Sequence, residues 1–385
     1  MMNDKKLRIA MLGHKRIPSR EGGVEVVVEE LSTRMVQRGH AVTCYNRGGH
    51  HVSGREYDVQ KQKTYQGVRL KTVWTLDKKG LAAMTSSLFS AIEAGFGRYD
   101  VVHFHAEGPC AMLWLPKLLG KRCIATIHGL DWQRAKWKQG LGAKYIKIGE
   151  KVAAKYADEI IVLSKEVQSY FQVTYGRDTV FIPNGVNRPK EVAPEEITAR
   201  YGLEKDGYIL FLGRLVPEKG VHYLIEAFQN VRTDKKLVIA GGVSDTEDYL
   251  EMLKKLAAPD PRILFTGFVQ GKLLGELYSS SYLYVLPSDL EGMPLSLLEA
   301  MSYGNCCLTS DIAECADVLA NNGVTFHKAD IRDLTEKLQY LVDNEPVVQN
   351  YKTLAADYIC HRYNWDRIVD ETIRLYQKPD STQEQ

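Results

Sequence analysis

The stretch of sequence that decides the fold is residues 283–299, LYVLPSDLEGMPLSLLE. It begins with an apolar run, Leu283–Leu286, and continues through a loop that contains Glu291. Gly292–Pro294 then opens a helical pattern that carries Glu299. A short apolar run bounded by turn residues is typical of a buried strand, and proline suits the first turn of a helix because its missing N–H needs no partner there. The stretch therefore predicts a strand–loop–helix unit with one carboxylate before the helix and one inside it.

These two glutamates are candidate ligand contacts. Both carboxylates can accept hydrogen bonds from ligand hydroxyls, and the amides at the N-terminus of the helix can bind phosphate. The same spacing also fits a capped helix with two solvated glutamates.

The alternation of strand and helix continues through residues 188–385. The further strands predicted there are Tyr208–Leu212, Lys236–Ala240, Arg262–Phe265, Cys306–Thr309 and Val324–Phe326. The predicted helices are Val221–Asn230, Asp248–Leu256, Gly271–Ser279, Leu295–Ser302 and Ile331–Asp343. This alternation predicts an α/β doubly wound domain.

Residues 1–187 repeat the scheme. The strands predicted there are Leu7–Leu12, Ala41–Tyr45, Val68–Val73, Val101–His105, Cys123–Ile127, Ile160–Leu163 and Val180–Ile182. A helix is predicted over Val24–Arg38, and a proline-rich linker between Asn184 and Glu195. We therefore predict two Rossmann-like doubly wound domains, 1–187 and 188–385, facing across a cleft, with the last helix able to pack back on the first domain. Ligands of such sheets bind beyond the carboxyl ends of the strands.

Length and composition are those of a globular protein. The chain has 385 residues, of which 44% are hydrophobic and 25% charged, enough for two domains. It contains no run of about 18 apolar residues, so no transmembrane helix is expected. The basic start followed by a short apolar run favours a first strand over a signal peptide. The seven cysteines have no CxxC pairing, which favours buried free thiols in a reducing compartment, and we expect a cytoplasmic location.

A second motif, FLGRLVPEKG at residues 211–220, follows the strand Tyr208–Leu212. Gly213 allows a ligand to approach the backbone, and Arg214 and Lys219 supply two positive charges. Arginine can hold phosphate through two hydrogen bonds and lysine acts as a point charge, so the pair suits the developing charge of a diphosphate leaving group. Two surface cations are the alternative interpretation.

Three further features of the first half lie within or after predicted strands. Gly22–Gly23 precedes a helix, which fits either a phosphate-approach loop or an ordinary tight turn. His128 and Asp131 occupy a position suited to catalysis or acceptor orientation, although a backbone carbonyl can equally satisfy His128. His103 and His105 share one strand face, but no third ligand accompanies them at convincing spacing, so no metal site is predicted.

In order, spacing and strand context, these motifs resemble the family 4 glycosyltransferases, retaining enzymes of the GT-B fold, over nearly the whole chain. The resemblance implies that Arg214 and Lys219 hold the donor diphosphate. It implies that Glu291 contacts hydroxyls of the donor sugar, that Glu299 contacts the ribose and that His128 lines the reaction centre. The catalytic residues implied are His128, Glu291, Arg214 and Lys219. Further donor-binding positions implied are Gly22, Gly23, Gly213, Gly267, Phe268, Val269, Gly292, Met293, Pro294 and Leu295, and the acceptor-side positions are His128, Asp131 and Trp132.

The resemblance also implies the reaction, which is transfer of a hexosyl group from a UDP- or GDP-linked sugar to a saccharide or lipid-linked acceptor in cell-surface polysaccharide assembly. Ser288–Glu291 is only a near miss to the Asp-x-Asp of metal-dependent transferases. We therefore expect metal-independent transfer without a cofactor, in which Arg214, Lys219 and helix amides take the part of a divalent ion. We also expect front-face attack with retention, in which the leaving phosphate helps to deprotonate the acceptor hydroxyl.

Charge is distributed unevenly along the chain. Residues 1–187 carry 29 Lys and Arg against 17 Asp and Glu, a formal charge of +12, and residues 188–385 carry 21 against 31, a formal charge of −10. The basic half predicts an anionic partner, or the two halves simply attract each other. Lys144, Lys147, Lys151 and Lys155 lie near Trp132, Trp137 and Tyr145, which fits either a peripheral contact with anionic lipid at the inner membrane face or a solvated helix face. The sequence contains no recognised nucleic-acid module, so a nucleic-acid partner is not expected.

Two other functions compete with the transferase. A nucleotide-sugar 2-epimerase of the same architecture works without an acceptor. A non-catalytic nucleotide-sugar-binding protein binds donor without turnover and tolerates loss of His128. A dehydrogenase is disfavoured because no GxGxxG follows the first strand of either half.

Overall fold

The computed structural model describes residues 6–49, 62–76, 78, 81–133, 141–243 and 247–377. The chain forms two compact units, one from Met1–Asn184 with Trp365–Gln385 and the other from Gly185–Asn364. The boundary therefore lies three residues before the predicted one after residue 187, because the N–H of Val186 donates to the carbonyl of Tyr363 at 2.8 Å within the second unit. The last helix, Trp365–Tyr376, belongs to the first unit, in line with the expectation that it can pack back on the first domain.

The first unit is built on an eight-stranded sheet. Its strands are β1 (Arg8–Leu12), β2 (Ala41–Arg47), β3 (Thr64–Tyr65), β4 (Val68–Val73), β5 (Val101–His105), β6 (Arg122–Ile127), β7 (Glu159–Val162) and β8 (Val180–Phe181). They lie in the order β3-β4-β2-β1-β5-β6-β7-β8, and all neighbours are parallel except the antiparallel pair β3–β4. The order reverses between β1 and β5, so the loops that follow these two strands open at the switch point where ligands of such sheets bind.

The helices of the first unit connect these strands. They are α1 (Gly23–Gln37), α2 (Leu81–Phe96), α3 (Trp114–Leu118), α4 (Leu141–Tyr156) and α5 (Lys165–Tyr175). A terminal helix, Trp365–Tyr376, follows the helices of the second unit and is therefore numbered α14. Arg38, which caps the C-terminal end of α1, donates to the carboxylates of Asp366 and Asp370, which fixes α14 against α1.

The second unit has a six-stranded, fully parallel sheet. Its strands are β9 (Tyr208–Leu212), β10 (Lys236–Ala240), β11 (Ile263–Gly267), β12 (Leu283–Leu286), β13 (Cys307–Ser310) and β14 (Val324–Phe326), in the order β11-β10-β9-β12-β13-β14. Its helices are α6 (Glu196–Tyr201), α7 (Val221–Phe228), α8 (Glu247–Ala257), α9 (Gly271–Ser280), α10 (Leu295–Ser302), α11 (Ala313–Leu319), α12 (Ile331–Asp343) and α13 (Glu345–Arg362). The two parallel sheets confirm the predicted α/β class.

Two further expectations were buried free cysteines and the lack of a transmembrane helix. All seven cysteines are free, and six of them are buried, while Cys360 is partly exposed. Within the described ranges, no helix combines the length and hydrophobicity that a membrane span needs.

Candidate functional site

The two main motifs of the second unit meet at neighbouring strand ends. Lys219 ends a short 3₁₀ turn after β9, and Glu291 lies in the loop after β12, which is the neighbour of β9 in the sheet. The ammonium of Lys219 lies 2.5 Å from Oε1 of Glu291, and the Ser288 hydroxyl donates to the same oxygen at 2.6 Å. The side chains are only 12% and 9% exposed, so the ion pair is largely shielded from water. The structure thus joins two residues that are 72 positions apart in the sequence.

The loops around this pair are held in close contact. The N–H of Asp289 donates to the carbonyl of Glu218 at 2.8 Å. Gly220 has a φ of +65°, and a Cβ on it would overlap the carbonyl oxygen of Pro287. Gly241 packs in the same way against the carbonyl of Gly213. Sequence reasoning missed the parts of Ser288, Gly220 and Gly241, since a serine or a glycine after a strand gives no specific signal by itself.

Glu299 lies inside α10, and Gly292 and Met293 lie in the loop before it. The helix begins at Leu295, and Pro294 is its N-cap with a ψ of 98°, so the proline lies just outside the first turn in which it was predicted. The hydroxyl of Tyr278 lies 3.4 Å from Oε2 of Glu299. Burial and the nearby Glu299 carboxylate raise the pKa of Tyr278 well above its ordinary value, which keeps this hydroxyl a donor.

The remaining positions in this unit that the sequence analysis predicts to bind the donor lie at the same edge of the sheet. Gly213 and Arg214 directly follow β9, and the N–H of Gly213 donates to the carbonyl of Ala240 at 3.0 Å. Gly267 ends β11 with a φ of +73°, and its carbonyl accepts from the N–H of Gly241 at 2.9 Å. The segment Gly267–Val269, which includes Phe268, therefore runs beside the end of β10. The described residues that follow β9, β10, β11 and β12 form one continuous strand-end surface in the second unit.

In the first unit, α1 begins at Gly23 with Gly22 at its N-cap. Glu25 in the first turn is 5% exposed and accepts the N–H of Lys15 at 2.8 Å. A phosphate bound at this helix start would lie beside a buried carboxylate, which is an electrostatically unfavourable neighbour.

His128 belongs to a buried row of histidines at the ends of β5 and β6. The Nε2 atom of His128 lies 3.1 Å from Nδ1 of His105, and the rings of His103 and His105 stack with centroids 4.2 Å apart. His103 also contacts Thr126 at 2.7 Å and Tyr376 at 2.6 Å. Burial lowers the pKa of His103 to about 3 and that of His105 well below its ordinary value, so both rings are neutral. Strand alternation predicts the shared face of His103 and His105, and the structure confirms it.

Asp131 and Trp132 form a short turn after β6 that is held by buried carboxyl groups. The N–H of Asp131 donates to Glu107 at 2.7 Å, and the indole N–H of Trp132 donates to Glu150 at 3.1 Å. Glu150 also accepts from Tyr170 at 2.8 Å. Burial, reinforced by the negative charges of Asp131 and Glu150, raises the pKa of Glu107, so this carboxyl keeps its proton. The sequence analysis did not identify Glu150, because the four lysines of α4 make this helix look like an exposed basic surface.

The lysines of α4 are Lys144, Lys147, Lys151 and Lys155, and all four are exposed. The ammonium of Lys147 lies 3.9 Å from the centre of the Trp132 ring, a cation–π contact. Trp137, which belongs to the same predicted patch, lies outside the described residues. Among the residues that are described, no three His, Cys, Asp or Glu side chains converge as a metal-binding group.

Comparison with known proteins finds matches over both units. Residues 21–188 match the family model described as Glycosyltransferase Family 4, and residues 194–358 match the one described as Glycosyl transferases group 1. The chain is 27% identical to an uncharacterised glycosyltransferase of Methanocaldococcus jannaschii over 96% of this chain and 98% of that protein. It is 26% identical to the alpha-maltose-1-phosphate synthase of Mycolicibacterium smegmatis over 72% of this chain and 79% of that protein.

Solved structures share the fold over 96% of the chain. A sucrose-phosphate synthase from Thermosynechococcus elongatus superposes with a TM-score of 0.78 at 20% identity, over 96% of this chain and 98% of that one. Anabaena HepE in complex with UDP-glucose gives 0.78 at 15% identity, over 96% and 99%. WaaG, a glycosyltransferase involved in lipopolysaccharide biosynthesis, gives 0.76 at 16% identity, over 96% and 100%. These likenesses establish the fold, which is GT-B.

Proposed function

The chain belongs to the family 4 glycosyltransferases, and from that premise we propose that it transfers a hexosyl group, with retention, from a nucleotide diphosphate sugar to a saccharide or lipid-linked acceptor. The observation that carries the proposal is the shielded pair of Lys219 and Glu291 at the strand-end surface of the second unit. A cation beside a hydroxyl-binding carboxylate matches the two ends of a sugar diphosphate.

Lys219 acts on the diphosphate end of the donor. Negative charge develops on the leaving diphosphate as the glycosidic bond breaks, and a fixed cation in a water-poor site stabilises that charge strongly. Glu291 holds the ammonium in place before the donor arrives, and the Ser288 hydroxyl in turn donates to the same Glu291 oxygen. Arg214, on the loop after β9, supplies the second positive charge, and the amides at the start of α10 supply partial positive charge.

The sugar and nucleoside ends of the donor occupy the neighbouring loops. Glu291 accepts hydrogen bonds from sugar hydroxyls through the oxygen that Lys219 does not hold, and Glu299 accepts from the ribose. The segment Gly267–Val269 flanks the base, since it lies next to Gly241 at the end of β10. UDP- and GDP-sugars are the two donor classes proposed.

The acceptor is held by the first unit. His128 orients an acceptor or donor hydroxyl, and neutral His105 fixes the ring of His128 through Nε2. Asp131 and Trp132 form the acceptor-side turn, which Glu107 and Glu150 support. The leaving phosphate accepts the proton of the attacking hydroxyl as the new bond forms on the same face. We propose that no metal ion takes part.

The cellular role proposed is assembly of cell-surface polysaccharide by a cytoplasmic enzyme that reaches lipid-linked acceptors at the inner membrane face. The likeness to WaaG, which is involved in lipopolysaccharide biosynthesis, supports this role. The exposed lysines of α4 are candidate contacts with anionic lipid.

Donor binding can be tested by thermal unfolding of the purified protein with UDP, GDP and their sugars in EDTA. A ligand at about 100 times its dissociation constant adds about 2.7 kcal/mol to the stability of the folded state. We expect one of the two nucleotides to raise the melting temperature of the wild type but not that of Lys219→Met or Glu299→Gln. Lys272→Met is the matched control, because Lys272 is a surface lysine paired with Glu195 in the same unit. Equal stabilisation of Lys219→Met, or none of the wild type, would contradict the proposal.

A further inference from the structure

Two buried tyrosines lie beneath helix α10, and neither takes part in the proposed function. Tyr284 in β12 is fully buried and Tyr278 in α9 is 1% exposed, and their ring centroids are 6.1 Å apart. A buried hydroxyl is costly unless it is hydrogen-bonded, so each phenol needs a partner inside the unit. Both hydroxyls reach Ser296, which is the second residue of α10.

Tyr284 connects the start of α10 to the end of β9. Its hydroxyl lies 2.9 Å from Oγ of Ser296 and 3.2 Å from the carbonyl oxygen of Leu212. A phenolic hydroxyl donates one hydrogen bond and can accept others, so Tyr284 can satisfy both partners at once. Leu212 is the last residue of β9 and directly precedes Gly213 and Arg214. One buried side chain therefore joins α10 to the segment that carries Arg214.

Tyr278 contacts α10 at two further points. Its hydroxyl lies 3.3 Å from the carbonyl oxygen of Ser296 and 3.4 Å from Oε2 of Glu299. Its ring stacks on that of Tyr303, the C-cap residue of α10, with centroids 5.3 Å apart. The two hydroxyl distances are longer than the contact of Tyr284 with Ser296, so Tyr278 is the weaker support. Burial raises the pKa of both phenols well above the ordinary value, so both hydroxyls keep their protons.

The start of α10 is the part of this helix that is suited to phosphate. The carbonyl of Pro294 accepts the N–H of Leu297 at 3.1 Å. The amides of Leu295 and Ser296 come before this helical hydrogen bond, and amides at such positions are the ones that bind phosphate. The residue whose hydroxyl contacts Tyr284 therefore also carries one of these amides.

Directional contacts are needed here, because apolar packing alone does not fix the position of a helix along its neighbours. Burial of apolar surface is non-directional, whereas a hydrogen bond is restricted to a narrow range of distances and angles. Stabilising the charge of a leaving diphosphate requires cations and amides that are already at the right distance from each other.

We propose that Tyr284 is a positioning residue for the donor diphosphate, which holds the amide end of α10 at a fixed distance from the loop that carries Arg214. Tyr278 supports the same helix beside Glu299. Since both tyrosines are buried, they act through α10 and not by contact with the donor. The proposal rests on the proposed function, because it requires that the diphosphate binds between α10 and Arg214.

The test is calorimetric titration of the full chain with UDP, UMP, GDP and GMP in EDTA. Tyr284→Phe removes only the hydroxyl and preserves the ring. Because a diphosphate contacts both segments and a monophosphate only one of them, the distance between the segments affects the diphosphate alone. For the diphosphate that binds the wild type, we expect the dissociation constant of Tyr284→Phe to rise about tenfold, and for the corresponding monophosphate by less than about twofold.

Tyr208→Phe is the matched control, because Tyr208 is a fully buried tyrosine at the opposite end of β9 whose hydroxyl donates to the carbonyl of Leu277 at 2.7 Å. We expect it to lower the melting temperature as Tyr284→Phe does, and to leave nucleotide affinity within about twofold of the wild type. Ser296→Ala removes the contact with Tyr284 from the helix side. It carries the test if Tyr284→Phe does not fold, and the double variant should lose no more affinity than the more affected single variant.

Three results would overturn the proposal. The first is unchanged affinity of Tyr284→Phe for the diphosphate together with a lower melting temperature, since Tyr284 would then only stabilise the unit. The second is an equal loss of affinity for the monophosphate and the diphosphate, since Tyr284 would then not act through the distance between α10 and Arg214. Both of these leave the donor site standing. The third is absence of UDP and GDP binding by the wild type, which would contradict the donor site itself.

Discussion

At the scale of single residues, the strand-end surface depends on an ion pair and on glycines at positions that tolerate few substitutions. Lys219 and Glu291 are largely shielded, and removing one partner of such a pair leaves the other charge without compensation. The loops that bring the two together meet through glycines with positive φ. The geometry of the ion pair therefore depends on the backbone conformation at neighbouring positions.

Gly220 is the glycine on which this coupling depends most. We expect Gly220→Ala to lower the free energy of unfolding by about 3 kcal/mol or more, since the new Cβ overlaps the Pro287 carbonyl in addition to the strain of a positive φ. Gly271→Ala is the control, because Gly271 has a φ of +61° but open space around its Cβ position, and it should cost only about 1 kcal/mol. Urea unfolding of both variants measures the difference, and equal costs would show that the close approach does not matter.

Glu107 makes a pH-dependent prediction. Its pKa is raised in the folded state by burial and by neighbouring negative charge, so folding favours the protonated form. The unfolded carboxyl ionises near its ordinary value, and this contribution to stability is therefore present at low pH and lost progressively as the pH rises above about 4.5. Glutamine cannot ionise and can still accept the N–H of Asp131. We expect the stability of Glu107→Gln relative to the wild type to increase between pH 5 and pH 9.

Thermal unfolding across that pH range measures the difference. Glu107→Ala serves as its control, since it removes the acceptor of the Asp131 N–H and should be less stable than Glu107→Gln at every pH. A constant difference between Glu107→Gln and the wild type would show that the carboxyl is ionised in the folded protein.

At the scale of helices and strands, the apolar runs identify most of the parallel strands to within one or two residues. Buried strands such as Val101–His105 and Leu283–Leu286 are almost continuously apolar, so they can be recognised in the sequence without knowing which strands lie beside them. The two-residue strand β3 is too short to leave a pattern. Helix α2 buries serine, alanine and glycine, so its apolar periodicity points away from the core and gives no correct indication of its orientation. Which loops meet depends on strand order, which the sequence does not specify.

Helix α14 is an element whose position the sequence leaves open. Its last residue, Tyr376, is 2% exposed, and its hydroxyl lies 2.6 Å from Nδ1 of His103 in the middle of the first unit. The backbone carbonyl of Leu375 accepts from Arg122 of β6 at 2.7 Å. The end of α14 therefore packs against His103, which belongs to the same row of histidines as His128.

We expect Tyr376→Ala to destabilise the first unit by about 3–5 kcal/mol, as for other buried aromatic residues, and Tyr376→Phe by about 1–2 kcal/mol through the lost hydrogen bond. Tyr340→Phe is the control, because Tyr340 of α12 is half exposed and lies in the second unit. Hydrogen exchange of the amides in β5 and β6 measures the effect where it should occur. Unchanged protection of these strands in Tyr376→Ala would show that α14 is not part of the core of the first unit.

At the scale of the whole molecule, family membership and the GT-B fold follow from both the motifs and the comparisons. The resemblance of the motifs implies donor contacts for Arg214, Lys219, Glu291 and Glu299, and these roles stay predictions that the variants test. The resemblance does not predict that Lys219 and Glu291 form an ion pair, because that contact depends on β9 and β12 being neighbours. The supporting carboxyls Glu107 and Glu150 are not predictable either, since a buried glutamate looks like a solvated one until its neighbours are known.

The proposed transfer is tested most directly by the rate of nucleotide diphosphate release from UDP- and GDP-sugars in EDTA, with detergent-dispersed lipid and saccharide acceptors. We expect acceptor-dependent release with one of the two donor classes. We also expect a loss of about 100-fold or more in kcat/KM for Lys219→Met, as for other groups that stabilise developing negative charge, and near wild-type turnover for Lys272→Met. Turnover by Lys219→Met at the wild-type rate, or no release from any donor by the wild type, would contradict the proposed transfer.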